Sequence, residues 1–235
     1  MPEPIIELEL YLVRHGESRS NIGLGDEADA KSWHDPMLSE KGEAQARLLG
    51  DYYARVDFDC ILASGLNRAL QTAGAVAARQ RRARTVEAHP IFSEGGIPTA
   101  VGVKPFSEIR AVFPFAVPAA GAETETNFIF SEDTSTDAMR YARAERAIAY
   151  LRQRFHSGER VLVAGHANFN TFLVFAALGV GYETAFDFAN ANTGVSKFVF
   201  YAPGTGRWGA DTHLIYHNDR SHLAAVYPED LLKKL

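Results

Sequence analysis

Arg14 and His15 stand side by side just before Gly16. Ile6, Leu8, Leu10 and Leu12 alternate with polar or amphipathic neighbours and the glycine breaks the pattern, so a strand is expected to stop where the pair is exposed. Two further segments repeat this plan. Ile61-Leu62-Ala63-Ser64 reads as a short strand followed by a helix opening that carries Arg68, and Val161-Leu162-Val163-Ala164-Gly165 leads into His166. Open α/β sheets bind ligands beyond the carboxyl ends of their strands, so the three strand ends are expected to converge. Two guanidiniums and two imidazoles suit a phosphoryl group. Each guanidinium offers a planar, permanently charged fork, and each charge-assisted bond contributes ~1.5–3 kcal/mol. Helix N-termini after the same strands add amide donors. One neutral imidazole can attack phosphorus in line and form a phosphohistidine, while the other donates to the equatorial oxygens. What then remains to be supplied is a proton for the leaving alcohol.

Taken in order along the chain, these motifs resemble the histidine phosphatase, or phosphoglycerate mutase-like, superfamily. Arg14-His15-Gly16-Glu17 continues to Asn21. Asp35-Pro36-Met37-Leu38-Ser39-Glu40-Lys41-Gly42 with Gln45-Ala46 is similar to the family's D-x-P-L-T-x-x-G-x-x-Q-A stretch, and residues 64–73 follow its S-x-L-x-R-A-x-Q-T-A block. Phe92-Ser93-Glu94 stands where the family places its acidic proton donor, and Gly165-His166 matches the second histidine. The resemblance extends to about Ser196. It implies His15 as nucleophile, Arg14 and Arg68 as phosphate clamps, His166 as phosphate binder and Asn21 as a supporting donor. Ala167, where many relatives have glycine, joins the substrate-binding positions. Glu94 is implied as general acid and base, protonating the leaving oxygen and then deprotonating water, a contribution of typically ~10²–10⁴-fold. Its neighbours Gly95-Gly96 are expected to let the loop approach the substrate closely. No metal and no cofactor is implied, and the expected partner is a small-molecule phosphomonoester.

Other motifs point elsewhere and lose on context. Glu17 follows the nucleophile directly and is expected to orient an arginine or cap a turn rather than to act as the acid. Residues 23–28 match G-x-G-x-x-A, but they do not directly follow the strand, and Asp26 and Glu27 would face a pyrophosphate. His213 and His217 invite a metal reading, yet Leu214-Ile215-Tyr216 between them reads as a strand and the pattern of an H-E-x-x-H site is lacking. The run Arg79-Gln80-Arg81-Arg82-Ala83-Arg84 is expected to be a solvated helix end, because a net charge of -5 gives no general field for a nucleic acid. Mutases of the family carry extra basic residues after the acid, whereas only Lys104 and Arg110 stand between Glu94 and Arg140. Hydrolysis is therefore expected over mutase-type transfer. A non-catalytic phosphate-binding module is the remaining alternative.

The elements that must position these residues alternate as in a three-layer α/β/α sandwich with a mostly parallel central sheet and helices on both faces. Strands are expected near 6–13, 58–63, 86–92, 160–165 and 195–201, with an edge strand near 212–217. Helices are expected near 39–54, 66–80, 138–156 and 168–178. Residues 1–235 read as a single domain with an inserted cap over about 95–137, including a short helix near 105–112. That insert carries Phe106, Phe113, Phe115, Phe128 and Phe130, which either select the leaving group or only pack the insert onto the sheet. At 46% hydrophobic residues the chain can bury one substantial core. The single cysteine, Cys60, reads as a buried thiol, and residues 1–12 show neither leader nor membrane span, so the cytoplasm is the expected compartment.

Overall fold

Alternation along the first strand, β1 (Ile6–Arg14), sorts its side chains between two cores. A computed structural model describes residues 3–24, 30–96, 102–122, 127–129 and 135–232. In it Leu8, Leu10 and Leu12 pack against α5 (Asp137–Arg154) and α6 (Ala167–Leu178), while Tyr11 and Val13 face α2 (Glu40–Tyr52), α3 (Asn67–Ala77) and α4 (Phe106–Val112). Each of the three leucines is buried and stabilises the sheet by about 2 kcal/mol. The helices thus lie on both faces.

Seven strands form the central layer. With β2 (Cys60–Ala63), β3 (Val86–Ala88), β4 (Ala116–Pro118), β5 (Glu159–Gly165), β6 (Val195–Tyr201) and β7 (Thr212–Asp219), the order is β4-β3-β2-β5-β1-β6-β7. The first five are parallel, whereas β6 runs antiparallel to both β1 and β7. β7 lies at an edge, as the sequence suggests. Two short helices, α1 (Ala30–His34) and α7 (Pro228–Leu232), complete the described elements.

Three features depart from the sequence expectations. The strand expected over 86–92 stops at Ala88, because Pro90 has no amide to give a ladder and opens a single 3₁₀ turn over Pro90–Phe92 instead. His89 caps that turn, its Nδ1 accepting the Ile91 amide at 3.0 Å. Within the segment 95–137, β4 extends the sheet beside β3, and Phe106, Phe113 and Phe128 are buried in the core beneath α2 and α3. Pro98 and Phe130 of this segment lie outside the described residues, as do residues 25–28 of the G-x-G-x-x-A match. The basic run follows α3 rather than ending it, and three of its four arginines are paired: Arg79 with Asp51 at 2.6 Å, Arg81 with Asp57 at 2.6 Å and Arg82 with Asp59 at 3.7 Å. Cys60 is buried, which pushes its thiol pKa up. Among the described residues no helix is long and apolar enough to cross a membrane.

Candidate active site

Parallel register carries three strand ends to one level. Arg14 pairs with Gly165 and Ala63 with Ala164. The ladder continues one residue further, the His15 amide donating to Gly165 O at 3.0 Å and the Ser64 amide to Ala164 O at 3.1 Å. His15, Ser64 and His166 therefore leave the sheet side by side, and the two imidazole centroids stand 5.2 Å apart.

The partners of His15 define its tautomer. Nδ1 lies 2.6 Å from Gly16 O and so carries the proton, which leaves the Nε2 lone pair to accept Arg68 Nε–H at 3.1 Å. Burial pushes the His15 pKa well below the ordinary imidazole value, and the Arg68 and Arg14 charges push it further. The pKa of His166 is lowered by burial first, then by Arg68, His15, Arg14 and Arg143. Its Nε2 is 2.6 Å from Ser64 Oγ, and its Nδ1 is buried with no partner among the described residues. Both rings are thus neutral in the folded protein near neutral pH.

Arg68 enters from the first turn of α3 and donates through Nη1 to His34 O at 2.9 Å. Thr72, one turn later, donates to Arg68 O at 2.7 Å and accepts the Gly16 amide at 3.0 Å, stitching α3 to the loop that bears His15. Arg14 donates through Nη1 to Asn190 O at 2.8 Å. Its Nε is buried without a partner among the described residues. Gly16 and Gly42 are required by close approach: a Cβ on Gly16 would stand 2.6 Å from Gly42 O, and one on Gly42 would stand 1.9 Å from Glu17 O.

Glu94 docks on the start of α6. Its Oε1 accepts the Gly95 amide at 2.9 Å and the Phe169 amide at 3.1 Å, and its Oε2 accepts the Asn168 amide at 3.3 Å. The helix needs such a partner, because its N-cap is His166, which makes no capping side-chain bond. That docking places the carboxylate beside the second histidine and near enough to favour the charged forms of Arg14 and Arg68. Gly95 makes room for Arg140, since a Cβ there would stand 2.8 Å from Arg140 Nε. Ala167 occupies the first position of α6, and its carbonyl accepts Thr171 Oγ1–H and Asn190 Nδ2–H, each at 3.3 Å. Asn21 is exposed. Its Oδ1 accepts the Ser18 amide at 3.0 Å and Asn192 Nδ2–H at 3.4 Å, so its carbonyl oxygen is used in capping the turn Arg19–Ile22.

Several supporting residues were not singled out from the sequence. Asn192 donates to His15 O at 3.0 Å, and the Thr193 amide donates to Arg14 O at 3.0 Å and to His15 O at 3.3 Å. Thr193 does this at a φ of 54, a strain of roughly 1–3 kcal/mol for a β-branched residue. His222 Nε2 lies 2.9 Å from the Thr193 hydroxyl. Behind the loop, Glu17 accepts Ser39 Oγ–H at 2.7 Å, and its amide donates to Gln45 Oε1 at 2.9 Å. Gln45 in turn donates to Asp230 of α7 at 3.2 Å, and Asp230 also pairs with Lys41 at 2.8 Å. Lys104 is held inside the fold: Nζ meets Asp35 Oδ2 at 2.6 Å, Gly65 O at 2.8 Å and Asn67 Oδ1 at 2.8 Å.

His213 and His217 have partners within the protein. His213 lies 3.0 Å from Arg207 O, and His217 lies 2.8 Å from both Ser196 Oγ and Ala189 O. Among the described residues no group of three or more His, Cys, Asp or Glu is arranged to hold a metal ion.

Comparison with known proteins bears on the family and the fold. Residues 10–208 match the model of the histidine phosphatase superfamily, branch 1. The adenosylcobalamin/alpha-ribazole phosphatase of Salmonella typhimurium is 42% identical over 67 residues, a stretch covering 28% of this chain and only 31% of that protein. A phosphoserine phosphatase from Entamoeba histolytica superposes with a TM-score of 0.60 at 21% identity, over 92% of this chain and 99% of its own. The alpha-ribazole phosphatase from Shigella flexneri gives 0.57 at 22% identity, over 90% and 96%. At these identities the solved structures establish the fold. The family match spans most of the chain, and the protein belongs to the histidine phosphatase superfamily, branch 1.

Proposed function

We propose that the protein is a phosphomonoester hydrolase working through a phosphohistidine on His15. The observation that carries this reading is the His15 ring, buried, neutral, locked by Gly16 O at Nδ1 and presenting Nε2 to Arg68. A bound phosphoryl group takes the Arg68 and Arg14 donors, and His15 Nε2 attacks phosphorus as the bond to the leaving oxygen breaks. His166 donates from Nδ1 to an equatorial oxygen, with Ser64 Oγ–H satisfying Nε2. Glu94 delivers its proton to the leaving alcohol. Oε2 is the oxygen suited to hold that proton, because it accepts one long amide bond whereas Oε1 accepts two. In the second half, water attacks phosphorus, Glu94 takes its proton, and the N–P bond breaks to return His15 and release phosphate.

Hydrolysis is favoured over mutase-type transfer because Lys104, one of the two basic residues between Glu94 and Arg140, is committed to Asp35. A small-molecule phosphomonoester is the substrate class, and the cytoplasm is the proposed setting. The test is p-nitrophenyl phosphate turnover with rapid acid and alkaline quench. We expect an acid-labile, alkali-stable phosphoenzyme in the wild type and its absence in His15→Ala, with kcat/KM down by roughly 10⁴-fold or more. Phosphate binding without turnover in the wild type would leave only a binding module.

A further inference from the structure

A cavity of about 500 Å³ adjoins the start of α6. Part of its wall is Asn168 and Asn190, which also touch the catalytic cluster: the Asn168 amide donates to Glu94, and Asn190 O accepts Arg14 Nη1–H. The cavity therefore opens beside the acid that serves the leaving oxygen. Much of the rest is aromatic. Phe175, Phe186 and Phe188 stand in mutual contact, with centroids 6.1, 5.3 and 5.7 Å apart, and Phe186 meets Phe188 edge to face at 90°. Phe186 is nonetheless 55% exposed, so packing within the protein leaves much of its ring uncovered.

The groove is already built. Asn190 Nδ2 donates to Phe188 O at 2.8 Å and to Thr171 Oγ1 at 3.2 Å, pinning the ring-bearing segment to α6. The acidic side chains in its wall are Asp187 and Asp137, the latter paired with Arg140 at 2.6 Å, and among the described residues no lysine or arginine lines it. This is the reverse of the phosphate pocket, where Arg14 and Arg68 dominate.

We propose that this groove is the leaving-group subsite, taking a flat, uncharged or cationic ring carried by the substrate alcohol and disfavouring a second anion. The proposal rests on the hydrolase reading above. Ring faces and edges supply the attraction, worth about ten-fold in kcat/KM, and the Asp187 carboxylate supplies the selection against anions.

The experiment compares alkyl esters with similar leaving oxygens: 2-phenylethyl phosphate, n-butyl phosphate and the phosphate ester of 4-hydroxybutyrate. The wild type is expected to prefer the phenylethyl over the butyl ester by about ten-fold in kcat/KM, and Phe186→Ala to bring that ratio toward one. Phe186→Leu, which keeps apolar bulk and removes the ring, is expected to do the same. Asp187→Asn is expected to raise the ratio of the carboxylate ester to the butyl ester several-fold. A ratio near one in the wild type, or a preference that survives both Phe186 variants at unchanged melting temperature, overturns the ring subsite. No gain in Asp187→Asn overturns the selection against anions. Absence of turnover even with p-nitrophenyl phosphate would instead overturn the hydrolase reading, and the subsite with it.

Discussion

The phosphate pocket and the aromatic groove share Asn190 as a wall but are made in opposite ways. The pocket is charge held in place by backbone: Arg14, Arg68 and Glu94 each bond to a main-chain carbonyl or amide of another segment, and His15 to the carbonyl of the residue that follows it. The groove is a set of rings from α6 and an irregular segment, fastened by Asn190, Thr171 and His217 and edged with carboxylates. The first arrangement fixes positions for a reaction that every phosphomonoester shares. The second leaves surface uncovered for whatever the alcohol carries. Reaction and selection are thus separable, and substitutions should affect one without the other.

The largest effect that sharpens this contrast is expected from Glu94→Gln. It should lower kcat/KM, which reports phosphoenzyme formation and not the later attack of water, by ~10²–10⁴-fold for alkyl esters, with or without a ring, and much less for p-nitrophenyl phosphate, whose leaving group needs no proton. Equal losses for both leaving groups would show that Glu94 only caps α6. A smaller effect concerns stability. His15, His166, His89 and His222 all have lowered pKa values, those of His89 and His222 being pushed down by burial to about 4. The unfolded chain binds protons near pH 6.5, before the folded one does, so this stability is complete above about 6.5 and is lost as pH falls toward about 4. Melting temperature should decline over that window, with the same slope in Phe186→Ala, because the groove contributes no imidazole. A flat profile would mean that the folded rings take up protons as readily as the unfolded ones. The smallest expected effect is none: EDTA should leave turnover unchanged, and a loss restored by a divalent ion would replace the metal-free scheme.

The strand ends were legible because their signal is local. Apolar alternation, a breaking glycine and an arginine or histidine lie within a few residues of one another, and parallel register then brings distant segments together. Glu94 was found by position in a motif, but its docking on α6 depends on a contact 75 residues away. The missing cap is a matter of position, since the N-cap is His166, a residue type outside the strong caps, while Asn168 stands inside the first turn. Thr193 and Asn192 escaped notice because their contribution is made through backbone geometry and an amide, which residue type does not announce. β4 is three residues long and gains its identity from pairing with β3, so periodicity had nothing to report. The groove was hidden for a related reason. The phenylalanines that stand out in the sequence lie after Glu94, where Phe106, Phe113 and Phe128 are core residues, whereas the uncovered ring of the groove is Phe186.

The chain of bonds from Asp230 through Gln45 to the Glu17 amide makes α7 a rear brace for the loop that carries the nucleophile. A label or a protease cut that disturbs α7 would act on that loop from the far side of α2, so probes for binding studies are better attached elsewhere.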